Sequence, residues 1–220
     1  DFKKGFSYFD ARLKSDEFSK KNKYHFNIIK TLDKNINLRN DKNNLIVKEQ
    51  GVGDEILFSS MYNDLLKNNF SKIQIECDKR LLEIFKRSFN KNIFVPFGHY
   101  SSSAKDIQDF DNVIYAGSLT KYFRKTESDF NNKSYIKSSD ELDKKFKSIL
   151  GNFNTKKKIG ISWKSVFNIY GGLKSLELND FKKLFSEERM FINLQYGDSV
   201  EGVNQLKENG LNIFSFNNID

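Results

Sequence analysis

The clearest chemical signal in the sequence is Gly51-Val52-Gly53-Asp54, which follows a short apolar run at residues 45–47. The apolar run predicts a strand, the glycines predict a tight turn, and the carboxylate opens an amphipathic helical segment. This order places Asp54 at the carboxyl edge of a sheet, where open α/β proteins bind their ligands. Gly51 and Gly53 would give a ligand room for close approach, because glycine has no side chain. Asp54 is equally suited to capping the N-terminus of the helix.

A second group of candidate residues surrounds a later predicted strand. Lys174 lies in a loop that begins with Gly171-Gly172, and its cation could neutralise a diphosphate. Lys164, just past Trp163, is a competing candidate, and a solvated surface lysine is the simpler interpretation of Lys174. Three polar residues at predicted strand ends could bind hydroxyl or phosphate groups, or could satisfy loop backbones instead: Ser162, Gln195 and Tyr196.

Strand and helix patterns alternate along the chain and predict the fold class. The pattern begins with a helix over residues 2–13 and a linker to residue 44. Strands are then predicted at 45–47, 71–76, 93–95 and 112–115. Helices are predicted at 54–69, 79–89 and 118–123. A helix at 140–150 and a hinge at 151–155 follow. The pattern then restarts, with strands at 158–163, 191–195 and 212–216 and helices at 179–185 and 200–209. Repeated strand–helix units predict an α/β protein with parallel sheets in two lobes, with a cleft between them.

Composition argues against nucleic acid as a partner, although the formal net charge is +8. The lysines are spread along the chain and interleaved with Asp and Glu, which is typical of a solvated basic surface. Small anionic substrates remain compatible with it. Glu49 and Glu55, which flank the Gly-x-Gly-Asp turn, are interpreted in the same way as solvated charges.

Several other residues have simple structural interpretations. Cys77 is the only cysteine and lies in an alternating strand pattern, so we expect a small buried side chain rather than a nucleophile. Trp163 is more often a core residue than a ligand contact. His25 and His99 lie in loops with no pairing pattern, and no metal site is predicted.

The sequence has no transmembrane segment, because no apolar stretch approaches the roughly 18–20 residues that span a membrane. A peripheral membrane contact stays open. The N-terminus is not a signal peptide. These features predict a cytoplasmic protein in a reducing compartment.

Several segments resemble one known family. Residues 49–61, with Gly51-Val52-Gly53-Asp54, resemble the opening motif of glycosyltransferases attached to tetratricopeptide repeats. Those proteins are relatives of the ADP-heptose:lipopolysaccharide heptosyltransferases and, more distantly, of protein O-GlcNAc transferase. Residues 75–81, 160–164 and 193–198 are similar to later motifs of the family, in the same order. Residues 2–12 look like the tail of the last tetratricopeptide repeat.

The resemblance implies a GT-B architecture of two Rossmann-like lobes. Residues 1–44 would be the repeat tail and linker, 45–150 the acceptor lobe, and 157–220 the first half of a nucleotide-sugar lobe. The family's acidic strand and His-containing loop would fall after residue 220, so the resemblance implies a fragment cut from a longer protein.

The resemblance also implies an activity. It is an inverting, heptosyltransferase-like transfer from a nucleotide-diphosphate sugar to a glycan or protein acceptor, with no further cofactor and no metal. Asp54 would be the general base, and Lys174 would lie in the region that contacts donor phosphate. The alternative function is a non-catalytic α/β module that binds a glycan or a protein partner.

Overall fold

The computed structural model describes residues 1–21, 38, 41–68, 70–100, 107, 109–130, 132–153, 157–165, 171–186, 188–211 and 213–216. The chain divides into two compact units, Asp1–Ser139 and Asp140–Asp220. Each unit contains a parallel sheet with helices in its connections. The predicted α/β class with parallel sheets is therefore confirmed, and the sheets are consistent with a Rossmann-like arrangement.

The sheet of the first unit has four strands in the order β3-β2-β1-β4. They are β1 (Asn43–Val47), β2 (Lys72–Cys77), β3 (Phe94–Pro96) and β4 (Asn112–Tyr115), and every pairing is parallel. The central strand β1 pairs with β2 on one side and β4 on the other, and Leu45, Ile46 and Val47 are all 0% exposed. An uninterrupted apolar run is what a strand covered on both faces requires. Pro96 is tolerated because β3 is an edge strand.

Short helices and turns connect these strands. The α-helices are α1 (Phe2–Phe9), α2 (Asp16–Lys21), α3 (Val52–Ser59), α4 (Tyr62–Leu65), α5 (Leu82–Phe89) and α6 (Thr120–Phe123). Further 3-10 turns span Asp10–Lys14, Ala116–Leu119 and Glu127–Asp129. The helix predicted at 54–69 is thus two helices, because Ser60 and Met61 separate α3 from α4.

Apolar side chains cover both faces of the first sheet. Ile46 packs into a large cluster with Phe58, Tyr62 and Phe85, which come from α3, α4 and α5. Leu45 and Val47 point into a second cluster. The alternation of strand side chains places neighbouring residues of β1 in different clusters. The sheet of the first unit is therefore packed on both faces.

The second unit contains α7 (Asp140–Gly151), β5 (Lys157–Ile161), β6 (Arg189–Asn193), α8 (Val200–Glu208) and β7 (Ile213–Phe214). Its three strands are parallel in the order β5-β6-β7. Two 3-10 segments, Gly172–Lys174 and Leu178–Leu184, stand between β5 and β6. The second of them replaces the helix predicted at 179–185. Trp163, Phe191 and Leu206 lie in the core, as expected for the tryptophan.

The structural boundary differs from the one drawn on the sequence. Residues up to 150 were assigned to the first lobe, whereas α7 belongs to the second unit. The reason is aromatic packing, since the rings of Phe146 on α7 and Phe216 after β7 lie 4.9 Å apart. Most of the linker before β1, including His25, and part of the predicted hinge lie outside the described residues. Within the part of the chain described, no helix has the length and apolar character to cross a membrane.

Candidate functional site

A cavity of about 650 Å³ lies at the carboxyl edge of the first sheet. Its lining combines residues that follow β1, namely Lys48, Gln50 and Gly51, with Asp54 on α3 and Phe97 after β3. Ser15, Glu17 and Phe18 complete the described lining. Two of the residues singled out by the Gly-x-Gly-Asp pattern, Gly51 and Asp54, therefore border a space large enough for a ligand.

Asp54 occupies the first turn of α3 and is partly exposed. Its Oδ2 accepts a hydrogen bond from the backbone N–H of Gly51 at 3.2 Å. Gly51, not Asp54, is the N-cap residue, and Asp54 closes the turn from the third helical position. Asp54 therefore does cap the helix. Its other carboxylate oxygen, Oδ1, accepts no hydrogen bond from the described part of the chain. The geometry accommodates capping and ligand contact together.

The left-handed residue of this turn is Gln50, whose φ is 61°. Gly51 has a φ of −93°, and a Cβ on Gly53 would have no atom within 4 Å other than those of its chain neighbours and of its own helix backbone. The glycines are therefore not needed for backbone conformation, contrary to the sequence argument about the turn. Residues other than Gly, Asn or Asp seldom adopt positive φ, and such strain is found preferentially at functional sites. The space beside Gly53 remains available to a ligand.

Glu55 is buried, so its interpretation as a solvated charge is wrong. The side chain accepts hydrogen bonds from Lys48 Nζ and from the backbone N–H of Asp78, both at 2.8 Å. Burial raises the pKa of Glu55, while these hydrogen bonds and the charge of Lys48 oppose the rise. Lys48 Nζ also lies 3.9 Å from Asp78 Oδ2. The charge of Lys48 is therefore opposed by the buried carboxylate of Glu55 and the partly buried carboxylate of Asp78.

Glu49 is also buried, with 0% exposure, and its interpretation as a solvated charge is wrong as well. It accepts hydrogen bonds from Arg12 Nε at 3.0 Å, Arg12 Nη2 at 2.7 Å and the backbone N–H of Gly117. These residues lie outside the carboxyl ends of β1 and β4, where the strand order reverses and where doubly wound sheets bind ligands. In this chain, Arg12 from the N-terminal segment fills that position.

Asp10, Lys121 and Ser118 extend this network. Asp10 accepts hydrogen bonds from Lys121 Nζ and Ser118 Oγ, both at 2.6 Å. Burial alone would raise the pKa of Asp10, but these hydrogen bonds and the nearby ammonium hold it below its ordinary value. Sequence reasoning missed these residues. The one local signal was Glu49, a carboxylate two positions beyond a fully apolar strand.

The second unit has its own cavity of about 380 Å³. Lys164, Gly171 and Gly172 line it, together with the beginning of α8. Ser162, Lys174 and Tyr196 are exposed and are not among its lining residues. The structure therefore brings Lys164, rather than Lys174, to this cavity.

Gln195 is 5% exposed and holds two loops together. Its Oε1 accepts from the backbone N–H groups of Trp163 and Lys164, both at 2.9 Å, and from Ser162 Oγ at 3.2 Å. Its Nε2 donates to the carbonyl oxygens of Lys164 and Tyr196. The alternative considered for strand-end polar residues, satisfaction of loop backbones, is what Gln195 does here.

Acidic side chains outnumber basic ones around the second cavity. Glu177, Asp198 and Glu201 line it, and Lys164 is the one cation among the described lining residues. Asp198 Oδ1 accepts a hydrogen bond from the backbone N–H of Val200 at 3.0 Å, so this carboxylate already occupies the N-terminus of α8. This part of the cavity is unfavourable for a highly charged anion.

The environment of Cys77 makes its thiol unreactive. Cys77 is fully buried, and burial raises the pKa of its thiol to about 12. The thiolate needed for nucleophilic attack is therefore absent at neutral pH. Among the described residues, no three His, Cys, Asp or Glu side chains come together as metal ligands would.

The fold and the cavities define an α/β protein with Rossmann-like sheets and ligand-sized spaces at their carboxyl edges. The chain is 26% identical over 195 residues to Protein FlbA of Caulobacter vibrioides, an alignment that covers 80% of this chain. It spans 32% of the length of that relative. No protein-family model matches the chain. No solved structure matches it either.

Proposed function

We propose that the chain is part of an inverting GT-B glycosyltransferase of the tetratricopeptide-linked, heptosyltransferase-like kind. It would move a sugar from a nucleotide-diphosphate donor to a glycan or protein acceptor. The observation that carries the proposal is the position of Asp54, a partly exposed carboxylate bordering a cavity of about 650 Å³ at the carboxyl edge of β1. The turn that holds it is the segment on which the family resemblance depends most.

Asp54 would act as general base in this reaction. The acceptor oxygen forms a bond to the anomeric carbon, the bond from that carbon to the diphosphate oxygen breaks, and the hydroxyl proton moves to Asp54. Displacement from the face opposite the leaving group inverts the anomeric centre. The carboxylate must lie within hydrogen-bond reach of the hydroxyl, and the cavity that Asp54 lines gives the acceptor room to approach.

The second unit would hold the donor. Gly172 provides exposed backbone that a ligand can approach closely, and Lys164 is the one cation among the described lining residues of the cavity. An ammonium group there would offset charge developing on the diphosphate. This assignment replaces Lys174, which is exposed and does not line the cavity.

The test is transfer by Asp54→Asn in the full-length protein. Asparagine keeps an oxygen that can accept the Gly51 N–H, so the turn is retained while the base is lost. We expect transfer from a panel of nucleotide-diphosphate sugars to fall by about 100-fold or more. Asp109→Asn, at a carboxylate that is 77% exposed and away from the cavity lining, should have no effect. Near-normal transfer by Asp54→Asn would refute the assignment.

A non-catalytic binding module is the second candidate. The three carboxylates around the cavity of the second unit favour it, because a diphosphate would meet them with one lysine in compensation. Titration of the full-length protein with UDP, GDP and ADP separates the two functions. Binding that weakens in Lys164→Ala supports transfer, and no binding of any nucleotide supports the binding module.

A further inference from the structure

The first unit contains a further cavity, of about 300 Å³, that the proposed function does not use. Ser60, at the end of α3, lines this cavity, whereas Asp54 lies in the first turn of that helix. None of the described residues that line it also lines the cavity beside Asp54. The two cavities are therefore separate places at which a ligand can be held.

We propose that this cavity binds a small organic carboxylate that carries an aromatic ring. Arg124 and Lys67 would hold the carboxylate, and the ring would pack against Phe130. Binding at this place does not depend on sugar transfer, so it can be tested whether or not the proposed function holds. The hydrogen-bond donors, the charges and the aromatic side chains of the cavity each support it.

Arg124 brings a buried guanidinium to the cavity. Its side chain is 4% exposed, and Nη1 donates to Asp64 Oδ2 at 2.8 Å and to the carbonyl oxygen of Phe123 at 2.7 Å. Nη2 donates to the carbonyl oxygen of Ser60 at 2.8 Å. A guanidinium has five N–H donors, so Nε–H and one hydrogen of Nη2 make no hydrogen bond within the described part of the chain. Nε is not among the buried side-chain atoms that lack a hydrogen bond, so it stays accessible to a ligand.

Nε and Nη2 are the two nitrogens through which other arginines of this unit bind carboxylates. Arg12 donates to Glu49 from Nε at 3.0 Å and from Nη2 at 2.7 Å. Arg80 donates to Asp78 from Nε at 2.8 Å and from Nη2 at 2.9 Å. The planar fork of the guanidinium matches the two oxygens of a carboxylate. The donors that Arg124 has left over are therefore suited to a carboxylate from outside the protein.

The charges at the cavity favour an anion with a single charge. The carboxylate of Asp64 lies 2.7 Å from Lys67 Nζ and 2.8 Å from Arg124 Nη1, so two cations surround one anion. The Lys67 side chain is 75% exposed, and its ammonium has three N–H donors, of which one is given to Asp64. Lys133 also lines the cavity but has contacts of its own, and the balance does not depend on it. The surplus charge suits a carboxylate, whereas Asp64 would repel the second charge of a phosphate monoester.

Phe130 and Tyr135 supply aromatic lining to the cavity. Phe130 is 42% exposed, and the guanidinium carbon of Arg124 lies 5.7 Å from the centroid of its ring. The ring of Phe2 lies 5.0 Å from that of Phe130, and the Tyr135 hydroxyl donates to the carbonyl oxygen of Ile56 at 2.8 Å. These contacts support both aromatic side chains. A ligand ring that covered Phe130 would remove apolar surface from water while its carboxylate reached Arg124.

The experiment measures binding of benzoate, phenylacetate and phenylpropionate to the full-length protein by ligand-observed NMR. Benzamide is the neutral counterpart of benzoate, and phenyl phosphate carries the second negative charge. We expect at least one carboxylate to bind with a dissociation constant of about 1 mM or below, and about tenfold more tightly than benzamide or phenyl phosphate. The inference would be overturned if no carboxylate bound, or if benzamide or phenyl phosphate bound as tightly as the carboxylates.

Variants at two exposed lining residues locate the bound carboxylate. Lys67→Ala should weaken its binding about tenfold, because a charged donor is lost. Lys86→Ala is the matched control, since Lys86 also pairs with a carboxylate three positions earlier but does not line the cavity. Phe130→Ala should weaken binding by a factor of about 3 to 10. Tyr8→Ala, at an aromatic residue 67% exposed in the same unit, should leave it unchanged.

Arg124→Lys keeps the positive charge and removes the fork, so it should weaken carboxylate binding about tenfold or more. Far-UV circular dichroism shows whether this variant folds. If it does not fold, Lys67→Ala and Phe130→Ala decide the question, because both positions are exposed. Unchanged binding in either of these two variants would refute the site.

Discussion

Arg12 and Glu49, 37 positions apart, form a two-pronged ion pair at the carboxyl end of β1. The Arg12 side chain is 13% exposed and the Glu49 side chain 0% exposed. Because a buried carboxylate requires a partner, the 3-10 segment Asp10–Lys14 that carries Arg12 is a structural part of the first unit. It also fills the crevice that a doubly wound sheet would otherwise offer to a ligand.

Arg12→Ala should destabilise the first unit by about 3–5 kcal/mol, because it leaves the buried carboxylate of Glu49 without its charged partner. Hydrogen exchange of the β1 and β4 amides, followed by mass spectrometry, measures this loss within the first unit. Lys86→Ala is the control, since its partner Glu83 is 77% exposed and lies one helical turn away. A loss from Arg12→Ala no larger than that from Lys86→Ala would contradict the buried pair.

Replacement by alanine should affect stability differently at Gly117 and at Gly53. A Cβ on Gly117 would overlap Glu49 Oε1 and lie 3.0 Å from the Phe58 ring, so Gly117→Ala should destabilise the first unit by about 1–3 kcal/mol. A Cβ on Gly53 meets nothing within 4 Å, and Gly53 is helical. Gly53→Ala should therefore be neutral or stabilise by up to about 1 kcal/mol. Urea unfolding followed by far-UV circular dichroism distinguishes the two, and equal effects would refute the packing described for Gly117.

The sequence predicted correctly those features that depend on residues close together in the chain. The apolar run at residues 45–47 predicted a strand, and β1 is buried there on both faces. The position of Asp54 followed from the strand–turn–helix order. Glu49 and Glu55 were misinterpreted because their partners are Arg12, Gly117, Lys48 and Asp78, which the fold brings together from distant positions. Local pattern carries no information on such pairs.

The turn before α3 illustrates the same limit at shorter range. Two glycines suggested where the chain turns, but the left-handed conformation is taken by Gln50. In the second unit, spacing could not decide between Lys164 and Lys174, because the loop between them has no periodicity. The structure decides by position, because Lys164 lines the cavity and Lys174 does not.

Asp64 should make the first unit sensitive to acid. Burial alone would raise its pKa, but hydrogen bonds from Lys67 at 2.7 Å and Arg124 at 2.8 Å lower it below the ordinary value of 3.8. A carboxylate with a lowered folded-state pKa contributes stability that is complete above the unfolded-state pKa and is lost as pH falls through the folded-state pKa. Stability should therefore decline below about pH 3.8, and less steeply in Asp64→Asn.

Urea unfolding at a series of pH values from 7 to 3 measures that decline. Asp64→Asn should also lower stability at neutral pH by about 1–3 kcal/mol, since Arg124 is 4% exposed and loses a charged partner. Asp109→Asn, at a carboxylate 77% exposed, is the matched control and should leave the acid limb unchanged. If stability declined with falling pH to the same extent in wild type and in Asp64→Asn, the contribution of Asp64 would be ruled out.

Gln195 should be a stability residue of the second unit. Gln195→Ala removes the acceptor for the N–H groups of Trp163 and Lys164 and the donor to two carbonyl oxygens. Each buried group left unpaired costs about 1–3 kcal/mol, so the loss should be severe for a sheet of three strands. Trp163, the one tryptophan of the chain, reports unfolding of this unit by its fluorescence. Asn204→Ala, at an exposed position of α8, is the control and should be nearly neutral. If Gln195→Ala instead unfolded with wild-type stability but lost nucleotide binding, Gln195 would be a ligand contact rather than a clamp between loops.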